Sequence, residues 1–109
     1  MGISKKDLFS EEQNLLATMA KAFGHPARIA ILQHLLKANR CINNDLVHEL
    51  GLAQPTVSQH LKELKNLGII KGTVEGTAMC YCIDPIVWGT IKKSFLGLLD
   101  QLELNSNCN

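Results

Sequence analysis

Gln54-Pro55-Thr56-Val57-Ser58-Gln59-His60-Leu61-Lys62-Glu63-Leu64-Lys65-Asn66 is the stretch on which the fold turns. Val57, Leu61 and Leu64 recur at helical spacing while Thr56, Gln59 and Glu63 fall on the other side, the pattern of a helix with one buried face. Just before it, Leu46, Val47 and Leu50 form a short apolar stripe that Asn43 or Asn44 can cap and Gly51 can end. Short helix, glycine turn, second helix is the layout of a helix-turn-helix, expected here over residues 43–67. That device places its second helix in the major groove of double-stranded DNA.

Working outward, Ser10 and Gln13 are spaced as a capping box, and Leu15, Leu16, Met19, Ala22 and Phe23 then repeat with helical period, predicting a helix over 11–23. Gly24-His25-Pro26 breaks the pattern and starts a second helix, with Ile29, Leu32, Leu35 and Leu36 expected inward and a stop near 37–40. Past the central stretch, Leu67-Gly68 closes the helix and a hairpin follows over 69–83, turning at Glu75-Gly76-Thr77. Asp84-Pro85 opens a last helix, 85–104, whose apolar stripe runs through Ile86, Val87, Ile91, Phe95, Leu98, Leu99 and Leu102 to Leu104. The expected fold is mainly α with a small β-hairpin: a single winged helix-turn-helix domain over 1–109, with five helices and a two-stranded wing.

Composition sets bounds on that reading. With 109 residues, 46% of them hydrophobic, the chain can build one small core and no second domain. Eleven Lys and Arg against 10 Asp and Glu leave a net charge of +1, which is not the strongly basic balance of a binder working by charge alone. The cations are nevertheless placed usefully, since Lys62, Lys65 and Lys71 gather at and just beyond the second helix of the motif. No stretch approaches the roughly 18 apolar residues of a membrane span, and the N-terminus carries no signal-peptide pattern, so a cytoplasmic protein is expected. Cys41, Cys80, Cys82 and Cys108 are then expected to be reduced thiols. No phosphate-binding glycine loop, acid–base pair or activated nucleophile stands out, which argues against an enzyme and implies no cofactor.

The segments FGHPARIAILQHL (23–35), DLVHELGLAQPTVSQHLKELKNLGII (45–70) and YCIDP (81–85), together with the element order, resemble the ArsR/SmtB family of bacterial winged helix-turn-helix repressors. The resemblance implies a homodimeric repressor on an inverted repeat, with the first and last helices, 11–23 and 85–104, packed across a two-fold axis. Leu15, Leu16, Met19, Ile91, Phe95, Leu98, Leu99 and Leu102 are the residues expected at that interface. The last helix also offers more apolar side chains than one small core can cover, in keeping with a partner or with an unusually broad intramolecular core.

On the recognition helix, Gln54, Thr56, Ser58 and Gln59 are suited to base edges: Gln can pair twice with adenine, and Thr offers a hydroxyl and a methyl. Lys62, Lys65 and Lys71 suit phosphates, which set register without reading sequence. A polar helix face is ordinarily just solvated, so the case rests on the short helix and glycine turn before it. His60 lies between the two faces and is read as a packed, hydrogen-bonded structural residue. The wing tip, Glu75-Gly76-Thr77-Ala78, is acidic and lacks Arg, a departure from the family that predicts a small contribution to binding.

Many relatives release DNA when metal binds. In one arrangement two cysteines stand around the start of the third helix, and aligning the shared Asp-Leu on Asp45-Leu46 sets Ile42 and Asn44 in their places, with Cys41 one residue out of register. A second arrangement uses carboxylates and histidines on the last helix, which here has Asp100 and Glu103 but no histidine. No metal site is expected at either place. Cys80 and Cys82 share one face of a strand, exposed if Met79, Tyr81 and Ile83 face the core. Two alternatives to a repressor without a metal site stay open: a thiol-redox or soft-metal sensor through Cys80 and Cys82, and a winged-helix protein-interaction module without DNA readout. The inducing signal has no signature in the residues.

Overall fold

In the computed structural model, residues 5–38, 45–75 and 78–103 are described. After a 3-10 turn over Lys5–Leu8 come α1 (Glu11–Phe23), α2 (Pro26–Ala38), α3 (Asp45–Leu50), α4 (Gln54–Asn66), β1 (Ile70–Glu75), β2 (Ala78–Ile83) and α5 (Pro85–Leu99). This is the expected winged helix-turn-helix, mainly α with one hairpin.

The element ends follow from local chemistry. Ser10 Oγ accepts the Gln13 N–H at 3.0 Å while Gln13 Oε1 accepts the Ser10 N–H at 2.9 Å, so a reciprocal box starts α1. Gly51, at φ 65°, ends α3 with its N–H on Val47 O. Gly68, at φ 79°, closes α4: its N–H reaches Lys65 O, and the Ile69 N–H reaches Leu64 O. Both glycines occupy the left-handed region that other residues enter only with strain. Asp84 Oδ1 accepts the N–H groups of Ile86 and Val87 and starts α5. The expected caps of α3, Asn43 and Asn44, lie outside the described residues, as do the turn residues Gly76 and Thr77.

One core holds these pieces together. Ile31, Leu46, Val57, Leu64, Ile69 and Ile70 are its most deeply buried large side chains, with Met19, Ala22, Leu32, Leu35, Leu61 and Ile91 around them. The strands pair antiparallel, from Ile70 opposite Ile83 to Glu75 opposite Ala78. Helices α1 and α5 pack through Phe23, whose ring meets Trp88 and Phe95 edge-on at 5.9 and 6.0 Å.

Three expectations change. Helix α2 buries Ile31, Leu32 and Leu35, whereas Ile29 and Leu36, expected inward, are exposed. Five large aliphatics on this helix leave periodicity without a unique face, and packing of the Arg28–Leu32–Leu35 side against α4 and the rest of the core chooses the rotation. Helix α5 stops at Leu99 instead of 104, its Asp100 N–H bonding back to Leu96 O. Leu98, Leu99 and Leu102 are exposed in the protomer, so among the described residues nothing packs against this end of the helix to support further turns. Leu104 lies outside the described residues. Finally, Cys80 is buried, at 4% exposure, and Cys82 is half-buried, so the hairpin does not present two exposed thiols.

Candidate nucleic-acid interface

The inner side of α4 is clamped and the outer side is open. Val57, His60, Leu61 and Leu64 are buried, while Gln54, Thr56, Ser58, Gln59, Lys62 and Lys65 are all exposed. The structure therefore brings the four base-contact candidates onto the exposed N-terminal half of one helix, the half that approaches base edges in groove-bound helices of this kind. Gln54 Nε2 donates to Ser58 Oγ at 3.0 Å, and Gln59 Nε2 donates to Glu63 Oε1 at 3.2 Å. These i, i+4 bonds hold the long amides along the helix surface.

Lys62 is exposed beyond this half, and Lys65 reaches toward the hairpin: a Cβ on Gly72 would lie 3.4 Å from its Nζ. Lys71 is exposed on β1, opposite Cys82. The Lys62, Lys65 and Lys71 cations thus flank the helix and the wing base.

The N-terminus of α4 has Ala53 at the capping position, with no side-chain hydrogen bond to its first turn. Helix α4 is held from beneath by His25, just before α2, and Arg28, in the first turn of α2. His25 caps α2, its Nδ1 accepting the Ala27 N–H at 3.0 Å, and its ring packs on that of His60. Arg28 Nη1 donates to the carbonyls of Lys21 and Ala22 at the end of α1, at 3.4 and 3.3 Å, and Nη2 pairs with Glu63 Oε2 at 3.3 Å.

His60 is buried at 8% exposure with Nδ1 unpartnered among the described residues; it is packed as expected, but this nitrogen is not hydrogen-bonded. Burial, then the charges of His25 and Arg28, push its pKa below the ordinary histidine value, with Glu63 acting the other way. The sequence reading missed the contacts of His25 and Arg28 with α4. Their only signal was the position of the GHPAR segment at a helix start, which does not reveal a contact 35 residues along the chain.

A family profile described as "Bacterial regulatory protein, arsR family" matches residues 25–71, a span that begins at His25 and contains α2, α3 and all of α4. An uncharacterized HTH-type transcriptional regulator of Methanocaldococcus jannaschii is 37% identical over 93 residues, covering 84% of this chain and 99% of that protein. The chain belongs to the arsR family. It is, as such, a DNA-binding, non-catalytic regulator of transcription with a winged helix-turn-helix. The HTH-type transcriptional repressor SmtB of Mycobacterium tuberculosis is 41% identical over 63 residues, 58% of this chain and 46% of that repressor. A crystal structure of an ArsR family transcriptional regulator, RHA00566, superposes with a TM-score of 0.71 at 17% identity, covering 90% of this chain and all of that one, a likeness of fold alone.

Other features of the chain bear on what controls the arsR-type fold. Among the described residues, no group of three or more His, Cys, Asp or Glu is placed to hold a metal ion. Cys41, Ile42 and Asn44, just before the third helix in the chain, lie outside those residues. Among the described residues no helix is long and apolar enough to cross a membrane.

The expected dimer residues divide into two sets. Met19 and Ile91 are buried in the protomer core, and Leu16 and Phe95 are partly buried. Leu15, Leu98, Leu99 and Leu102 are exposed, together with Leu8, Phe9 and Leu96. An apolar groove of about 520 Å³ runs between α1 and α5, lined by Ala20, Phe23, Trp88, Phe95, Leu96 and Leu99 among others.

Proposed function

We propose that the protein is a homodimeric repressor that binds an inverted repeat, laying α4 of each protomer in successive major grooves. Gln54, Thr56, Ser58 and Gln59 read bases, and Lys62, Lys65 and Lys71 contact phosphates. The observation that carries this reading is the exposure of all four polar side chains on the N-terminal half of a helix whose other face is buried. With a net charge of only +1, tight binding needs the phosphate contacts of two protomers together. The exposed Leu96, Leu98, Leu99 and Leu102, continuous with the α1–α5 groove, supply an apolar face for the second copy.

Selection of bound sequences from random duplex DNA tests the reading. The expected product is an inverted repeat with half-site centres about one helical turn, roughly 10 base pairs, or a multiple of it apart. Enrichment of no motif overturns base readout, and enrichment of a lone half-site overturns the symmetric dimer. Leu98→Asp with Leu99→Asp is expected to convert a dimer to a monomer in sedimentation equilibrium; an unchanged mass would place the interface elsewhere.

A further inference from the structure

We propose that Arg28 and Glu63 are positioning residues for base reading, acting through Gln59. The inference rests on α4 being the DNA-reading helix, and extends that reading to Glu63, one turn beyond Gln59, and to Arg28 on α2.

A glutamine amide has two orientations of nearly the same shape, differing by exchange of its oxygen and nitrogen. Which one faces a base decides whether a donor or an acceptor is offered at each point. Here Gln59 Nε2 lies 3.2 Å from Glu63 Oε1. An ionised carboxylate accepts hydrogen bonds and donates none, so the amide nitrogen must be the atom that faces it. One N–H and the amide oxygen then remain, in a set arrangement, and that is the donor and acceptor pair adenine requires at N7 and N6.

The carboxylate can do this only if it is itself held. An exposed glutamate has many rotamers, but the other oxygen of Glu63 is paired with Arg28 Nη2 at 3.3 Å. Arg28 is in turn fixed: its side chain is 17% exposed, and Nη1 lies within 3.4 Å of the carbonyls of both Lys21 and Ala22. The planar guanidinium fork reaches the end of α1 and the side of α4 together, a geometry that a lysine ammonium does not reproduce. A continuous line of polar contacts therefore runs from the last turn of α1 through Arg28 and Glu63 to the amide of Gln59.

The test is selection from random duplex DNA with wild type, Gln59→Ala, Glu63→Gln and Arg28→Lys, comparing preference position by position, with thermal unfolding of each variant alongside. Gln59→Ala is expected to erase an adenine preference at one position of each half-site. Glu63→Gln, whose amide can donate as well as accept, is expected to weaken that same position by about tenfold while preferences at the other positions persist. Arg28→Lys is expected to follow it, and because Arg28 also ties α1 to α4 its melting temperature is the control for a loss of folding. Three results overturn the proposal: Glu63→Gln leaves that position unchanged, alters a different position because Glu63 reads its own base, or flattens all positions equally as a purely structural residue would. A wild type that selects no motif instead overturns the reading of α4 on which the proposal stands, and the proposal with it.

Discussion

The imidazole rings of His25 and His60 lie 4.4 Å apart, centroid to centroid, at 54°, and join the cap of α2 to the buried side of α4. His60 is buried beside Arg28 and Glu63. Protonating His60 would place a second cation near Arg28 with little water to screen it. In the unfolded chain this histidine takes a proton near the ordinary value of about 6.5, and in the native protein only at lower pH. Between the two values the unfolded state binds more protons, so stability is expected to fall as pH drops through this window and to level off below it. Urea midpoints at pH 7.5, 6 and 5 check this, with His60→Phe expected to lose less on the acid side. An equal decline in both proteins would assign the effect to another group.

The rotation of α2 has an energetic signature. Ile31 is 0% exposed, so Ile31→Ala is expected to cost about 2–5 kcal/mol through lost burial and the cavity left behind. Leu36 is 48% exposed, and Leu36→Ala is expected to cost less than about 1.5 kcal/mol. Denaturant unfolding of the two variants ranks them; the opposite order would restore the face suggested by periodicity.

Ala53 stands at the N-cap of α4 with extended backbone angles, φ −64° and ψ 147°, and no side-chain oxygen for the first-turn N–H groups. Ala53→Ser supplies that oxygen on a backbone already suited to it. A gain of about 0.5–1 kcal/mol in unfolding free energy is expected. No gain would mean that those N–H groups are already satisfied.

Lys62 and Lys65 are exposed on the outer side of α4. If they neutralise phosphates, replacing both by Ala flattens the dependence of log K on log salt by about 0.9 for each contact removed. Binding titrations between 50 and 200 mM salt, about the range where such contacts dominate, give the slope. Parallel lines for variant and wild type would remove these lysines from the phosphate-contacting set.

Much of the architecture was legible because its signals are local. The Ser10–Gln13 box, Gly51, Gly68 and Asp84 each act within a few residues, and each ends or starts an element where the sequence predicts. The long spacing of Val57, Leu61 and Leu64 likewise identified the buried side of α4. Where apolar residues outnumber the places in one face, as on α2 and α5, the pattern alone left the rotation and the end of the helix undetermined. The hairpin shows the same limit: alternation places Cys80 and Cys82 on one side, but it carries no information on what covers that side, and Cys80 is buried.

The order of elements, the helix-turn-helix and the polar residues on the outer side of its second helix are all readable along the chain, because these depend on contacts a turn or a cap apart. How that helix is held follows from the packing of the folded chain. His25 and Arg28 precede His60 and Glu63 by 35 positions, and the two segments meet because the packing of α1 and α2 against α4 brings them together. A contact between distant segments is set by the shape of the shared core, to which every buried side chain contributes, and no spacing within either segment records it.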